Sequence, residues 1–144
     1  MQSLVIALVL TRLYYGNATL AGLPGKTLAK LQSVLNASAR LIFLSRKFDH
    51  VTPLLRDLHW LSFPERIHYK LAVLAFKCLN GMAPSYLARD FRRVADTHSR
   101  QRLRSASTAE LIVPRVCRPT IGGRAFPVAA ANVWNTVIAC DVII

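Results

Sequence analysis

Apolar positions recur along this chain at helical rather than alternating intervals over most of its length. Residues 1 to 15 are mostly apolar and predict a helix that breaks at Gly16-Asn17. Gly22-Leu23-Pro24-Gly25 predicts a turn, since proline and glycine both resist helix. From Lys26 to about Leu44 the helical period is strong. At 100° per residue Leu28, Leu31, Leu35, Ala39 and Ile42 share a stripe about 80° wide, with Lys26, Lys30, Ser33 and Arg40 opposite. Leu41 and Leu44 interrupt the polar side, so the end of this helix is expected to meet a second neighbour. A basic loop over 45–50 follows, and Thr52-Pro53 predicts the cap and first residue of a short helix through Leu58.

Ser62-Phe63-Pro64-Glu65 combines capping-box spacing with a first-turn proline. The helix it opens is expected to end at Leu79 or Asn80, with Gly81 as a left-handed residue after the last turn. Ile67, Leu71, Leu74 and Cys78 form one apolar stripe, and Tyr69, Val73, Phe76 and Leu79 cover much of the remainder. Arg66, Lys70 and Lys77 make the only polar seam, which predicts a central core helix. Pro84 opens another helix, expected to reach about Val94. Composition shifts near Asp96, where serines and Arg100, Arg102 and Arg104 read as a solvated basic linker. Leu111-Ile112-Val113 and Val116-Cys117 predict short strands around Pro114, with Gly122-Gly123 as a turn. Residues 126–137 predict a final helix, although Asn132 and Asn135 are poor helix formers. The expected fold is mainly α: a small helical bundle over 1–96, a basic linker over 97–110, and a segment over 111–144 with a short β-hairpin-like element and the last helix.

With 144 residues, 53% of them hydrophobic and 18% charged, the chain can bury a core, and the disordered class is excluded. Nineteen Lys and Arg against seven Asp and Glu leave a net charge of +12, which points to an anionic partner. No two of the acids are adjacent or one residue apart, which argues against two-metal phosphoryl chemistry. Three cysteines, Cys78, Cys117 and Cys140, form no C-x-x-C pair, so neither a disulfide framework nor a zinc site is expected. The apolar run from Leu4 to Leu10 falls well short of the ~20 residues a spanning helix needs. It also lacks the basic flank and small-residue cleavage site of a secretory signal. An intracellular protein, in cytoplasm or nucleus, is expected. Asn17-Ala18-Thr19 and Asn36-Ala37-Ser38 match the glycosylation acceptor pattern and are read as coincidence.

Gly25-Lys26-Thr27 copies the end of a phosphate-binding P-loop, but Leu20 stands where that pattern needs glycine. His50, His59 and His68 recur every nine residues, which faces helical neighbours in opposite directions. No acid or cysteine completes a metal cluster with them, and no catalytic nucleophile stands out. Neither a cofactor nor a small-molecule substrate is expected. Trp60 and Trp134 could stack on bases, although both lie in apolar contexts that favour packing. The basic residues remain. Lys26, Lys30 and Arg40 back one helix, Arg46 and Lys47 follow it, and Arg100, Arg102 and Arg104 alternate in the linker. Cations clustered this way neutralise phosphates without reading sequence.

Several strings in order resemble one family. They include Leu20-Ala-Gly-Leu-Pro24, Leu-Gln-Ser-Val-Leu-Asn-Ala-Ser-Ala-Arg-Leu-Ile from Leu31 to Ile42, and Asp49-His-Val-Thr-Pro-Leu-Leu-Arg-Asp-Leu-His-Trp-Leu61. Glu65-Arg-Ile67, Asn80-Gly-Met-Ala-Pro-Ser-Tyr-Leu87, the arginine-rich 99–105, Val113-Pro-Arg115 and Arg124-Ala-Phe-Pro-Val-Ala-Ala-Ala-Asn-Val-Trp-Asn135 continue the series. Together they resemble the non-LTR (LINE-type) retrotransposon reverse transcriptases, in the region after the polymerase palm. The resemblance implies a helical thumb with its C-terminal extension. The family's catalytic Tyr/Phe-x-Asp-Asp motif lies upstream of that region, and this chain has no Asp-Asp pair. A catalytically incomplete piece, not an enzyme by itself, is therefore expected. The resemblance also implies sequence-independent contact with the backbone of RNA or RNA–DNA duplex.

The family's Leu-Asp-Tyr-Cys-Asn is replaced here by Leu13-Tyr-Tyr-Gly-Asn17, and its Trp-Asn-Ser-Leu-Pro by Trp134-Asn135 followed by an unrelated apolar ending. Both departures are those of a decayed or truncated copy. Two alternatives stand beside the nucleic-acid reading. One is a basic protein of anionic membrane surfaces, using the apolar stretches 4–10 and 136–144. The other is a translated relic without function.

Overall fold

The computed structural model describes residues 2–97 and 109–139. It is mainly helical, as the periodicity predicts, and contains no strand among the described residues. The backbone divides into two compact units, Met1–Ile67 and His68–Ile144, the division falling inside the helix Phe63–Leu79.

The first unit opens with a helical run in three parts: α1 (Gln2–Val5), a π-helical turn (Ile6–Leu10) and α2 (Thr11–Tyr14). The Thr11 N–H donates to the Ile6 carbonyl, five residues back, in place of the usual four. That wider turn has a packing reason. Val5 and Leu10 are both buried, yet in an α-helix residues five apart would face about 140° away from each other. The run ends at Tyr15 in extended conformation, and Gly16 turns the chain with φ of +74°. A 3-10 turn (Asn17–Leu20) then leads to α3 (Gly25–Phe43).

Helix α3 buries Leu35 and Ala39 completely, in the middle of the predicted stripe, whereas Leu28, Leu31 and Ile42 are partly covered. Ser38 is buried beside them because its hydroxyl donates to the Val34 carbonyl at 2.9 Å. Helix α3 ends on Leu44, a non-glycine residue at φ +52°, with the Ser45 N–H reaching back to the Arg40 carbonyl at 3.0 Å. Helix α4 (Thr52–Asp57) ends the same way, with His59 at φ +53° and the Trp60 N–H on the Leu55 carbonyl at 2.8 Å. The N-cap of α4 is Val51, so Thr52 and Pro53 are both already helical.

Helix α5 (Phe63–Leu79) starts on the predicted capping box: the Ser62 N–H donates to Glu65 Oε2 at 2.8 Å. Hydrogen bonding from the Ser62 side chain, and then from its N–H, holds the Glu65 carboxyl below its ordinary range. This lowered pKa has a definite sign. The stabilisation is present above the unfolded carboxyl value of ~4.3 and is lost as pH falls through the folded one. Glu65→Ala is expected to lower stability by about 0.3–1 kcal/mol at pH 7, the solvent-screened range for an exposed acid in a first helical turn, a difference that shrinks in urea melts repeated towards pH 3. A deficit independent of pH would contradict this assignment. The Phe63 N–H donates to Gln32 Oε1 at 2.6 Å, and Gln32 Nε2 in turn donates to Asn36 at 2.8 Å. Phe63, wholly buried, and Ile67 complete the core of this unit.

In the second unit α5 buries Leu71, Ala75 and Cys78, and burial pushes the Cys78 thiol up, away from thiolate chemistry. The helix is not apolar-buried all round, however: Tyr69 and Phe76 remain 56% and 45% exposed. The α5 helix closes as predicted, with Gly81 at φ +69° and the Met82 N–H on the Lys77 carbonyl at 2.9 Å. The helix expected from Pro84 to Val94 stops early, as α6 (Ser85–Ala88). Beyond it Phe91 packs edge-on against Phe126 with centroids 5.6 Å apart, and Arg93 is extended. Tertiary contact there overrides helix propensity.

The predicted hairpin is replaced by one isolated antiparallel bridge, between Arg93 and Leu111. The Val94 N–H donates to Glu110 at 3.0 Å and the Ile112 N–H to Arg92 at 2.9 Å, so Leu111's own N–H and C=O point away from that partner. They are taken by the Asn135 side chain, which accepts from the Leu111 N–H at 2.8 Å and donates to its carbonyl at 2.9 Å. Trp134 Nε1 donates to the Ala109 carbonyl at 3.0 Å alongside. The ladder cannot extend past Pro114, which has no N–H. Val116 instead lies against Gly122, the last residue of α7 (Pro119–Gly122), where an added Cβ would come within 2.7 Å of it. Helix α8 (Phe126–Ala139) runs as expected and buries Val128, Ala129, Ala130 and Ala131. Its asparagines are tolerated because Asn135 has this backbone partner.

Candidate nucleic-acid interface

Lys26, Lys30, Ser33, Ala37, Arg40 and Leu41 fall within a sector of α3 about 100° wide, centred opposite the buried Leu35 and Ala39. Lys26 and Lys30 are exposed, and fourteen residues separate Lys26 from Arg40, about 21 Å at 1.5 Å per residue. At its C-terminal end the sector opens into a groove of about 580 Å³ lined by Ser33, Ala37, Arg40, Leu41, Leu44, Ser45 and Lys47. Leu44, 80% exposed, turns the chain there and brings the 45–49 loop beside the helix end.

That loop is folded around one acid. The Arg46 N–H donates to Asp49 Oδ2 at 2.7 Å, and the Asp49 N–H donates to the Arg46 carbonyl at 3.2 Å. Arg40 Nη2 donates to the Asp49 carbonyl at 3.2 Å, while its Nε is buried with no hydrogen-bond partner among the described residues. Arg40 therefore positions the loop, and it is half-buried rather than presented on an open helix back. Arg46 and Lys47 stay exposed. The Lys47 ammonium stands 5.9 Å from the centre of the Phe48 ring, which is 91% exposed. The four exposed cations of the predicted set, Lys26, Lys30, Arg46 and Lys47, belong to the first unit, as does Arg40. Arg100, Arg102 and Arg104 lie outside the described residues.

No family model, curated protein or solved structure matches this chain.

Two aromatic residues singled out for stacking have structural work instead. Trp60 carries the Arg66 guanidinium 6.0 Å from its ring, and Trp134 is half-buried on the Ala109 carbonyl. The most exposed rings among the described residues are Phe48 and Tyr15, at 91% and 90%. The signal available was the placement of Phe48 directly after Arg46-Lys47, and of Tyr14-Tyr15 two residues after Arg12. Gly25, in the P-loop-like triplet, begins α3 with open space where a Cβ would stand. His50, His59 and His68 are exposed, and no three His, Cys, Asp or Glu residues among those described converge. Asn17 is 1% exposed and the Asn36 amide oxygen accepts from Gln32 within α3, so neither acceptor asparagine is presented for glycosylation.

Proposed function

We propose that the first unit binds the phosphate backbone of RNA or RNA–DNA duplex without reading sequence, and that the chain does so as a non-catalytic nucleic-acid-binding element. The observation that carries this reading is the single face of α3 bearing Lys26 and Lys30, continued at its end by Arg46 and Lys47. A stretch of about 21 Å along a duplex axis carries about six phosphates per strand at B-form spacing, enough to engage all four cations. The net charge of +12 supports the same partner, and so does the resemblance of the sequence to the region after the palm of LINE-type reverse transcriptases. The linker arginines Arg100, Arg102 and Arg104 extend the basic set.

Replacing Lys26, Lys30, Arg46 and Lys47 together with alanine is expected to flatten the slope of log K against log salt by about 3 to 4 for a blunt RNA–DNA duplex. Alanine at the three linker arginines should flatten it by a further 2 to 3, on the same ~0.9 per contact. Anisotropy titrations from low to moderate salt measure both. An unchanged slope in the four-residue variant removes the α3 face from any such site.

A second reading rests on Leu4 and Leu8, 63% and 68% exposed on one side of the first helical run, near the exposed Arg12. Such a face suits an anionic membrane surface. No helix among the described residues is long and apolar enough to cross a membrane. Sedimentation with phosphatidylserine against phosphatidylcholine vesicles decides it, and no pelleting with either ends this reading.

A further inference from the structure

Arg66 lies in the second turn of α5, half-buried, with its Nε donating to the Leu61 carbonyl at 2.9 Å and its guanidinium over the Trp60 ring at 6.0 Å. Burial lowers its pKa, and the neighbour acting in the opposite direction is Tyr14. No carboxylate among the described residues contributes. Guanidinium stays charged throughout the physiological range, so a partly desolvated cation stands here without a carboxylate partner among the described residues. Beside it opens an apolar groove of about 420 Å³, walled by Leu10, Thr11, Tyr14, Tyr15 and Arg66. Tyr15, at the extended residue that ends the first helical run, is 90% exposed.

We propose that this groove receives one unpaired nucleotide of an RNA or DNA strand, its base stacked on Tyr15 and its phosphate held by the Arg66 guanidinium. The planar fork of arginine matches phosphate oxygens in pairs, and an aromatic face accepts any base. A hydrated inorganic anion would meet Arg66 but leave the apolar wall and the Tyr15 ring without a partner. A base attached to the phosphate uses both. The inference rests on the nucleic-acid reading of the α3 face, and adds to it a preference for strands with an unpaired end or bulge.

The test is anisotropy with a labelled uridine hexamer, an abasic hexamer and a blunt RNA–DNA duplex, on the full chain and its variants. Tyr15→Ala is expected to weaken the uridine hexamer roughly 5- to 150-fold, and Tyr15→Phe to leave it nearly unchanged. Neither variant should alter binding of the abasic hexamer or the blunt duplex. Arg66→Lys, which keeps charge and loses the fork, should weaken both hexamers. Equal affinity of wild type and Tyr15→Ala for the uridine hexamer overturns the proposal. So does an equal loss with the abasic strand. Phosphatidylserine vesicles that bind through Tyr15 while the uridine hexamer does not would assign the groove to a lipid surface and overturn it as well. Failure of the α3 reading is separate, because that shows only in the duplex salt slope of the Lys26, Lys30, Arg46 and Lys47 variant.

Discussion

Replacing Phe63 with alanine is expected to destabilise the first unit by about 3–5 kcal/mol, the usual cost of emptying a phenylalanine site in a core. The Phe63 side chain has no solvent exposure and shares the core with Leu35 and Ala39, which have none either. Stability of about 0.05–0.15 kcal/mol per residue gives a unit of this size roughly 3 to 10 kcal/mol in all. The loss is therefore comparable with everything the unit has. Urea unfolding followed by circular dichroism should show a transition moved to much lower denaturant, or a baseline already sloping in water. A midpoint within experimental error of the wild type would mean that Phe63 does not organise this core. Since Phe63 also sits one residue after the capping serine, Phe63→Leu is the companion variant: it keeps the backbone bond to Gln32 and should recover most of the loss.

Asn135→Ala is the second large effect, expected at about 2–4 kcal/mol in the other unit. The side-chain amide satisfies both backbone groups of Leu111, a residue only 2% exposed. Removing it strands a buried N–H and a buried C=O together, and each such group costs about 1–3 kcal/mol when water cannot reach it. Asn135→Asp is no rescue. A carboxylate still accepts from the N–H but faces the carbonyl with negative charge. Amide hydrogen exchange reports the effect locally: in Asn135→Ala the Leu111 N–H should exchange far faster, while the Ile112 N–H, bonded to Arg92, is less affected. Retained protection at Leu111 would show that another group replaces the asparagine.

What was legible in the sequence follows from which physical signals are local. The helices at 25–43 and 63–79 announce themselves through a 3.6-residue period, and the capping box of Ser62 and Glu65 needs only four consecutive residues. Gly81 was readable as a left-handed helix end because glycine is the residue that adopts it without penalty. Leu44 and His59 occupy the same conformation and carry no such mark: each is followed by an N–H that bonds five residues back, to Arg40 and Leu55, and neither residue type announces that geometry. The misread strand at 111–113 has a related cause. Its β-branched run does pair, but with a single residue on one side and with a side-chain amide on the other, and neither partner is visible in a local window. Of the basic residues, their number and periodicity placed Lys26 and Lys30 on the polar side. That Arg40 would be spent holding the Asp49 carbonyl depends on the loop closing back, which a helical projection does not contain. The groove at Tyr15 and Arg66 joins positions about fifty residues apart, and the Tyr14-Tyr15 pair after Arg12 marks one side of it without pointing to the other.

The π-helical turn at Ile6–Leu10 makes the opening of the chain an α-helix with one residue to spare. Val5 and Leu10 reach the core together only because that surplus is absorbed between them. Excising the exposed Ala7 would leave the two core residues four apart, the natural interval of an α-helix, and would keep everything after Leu10 in its present register. Adding a residue at the same place would rotate one of them into water. This helical run is thus asymmetric towards change in length, tolerant of one residue fewer between Val5 and Leu10 and intolerant of one more.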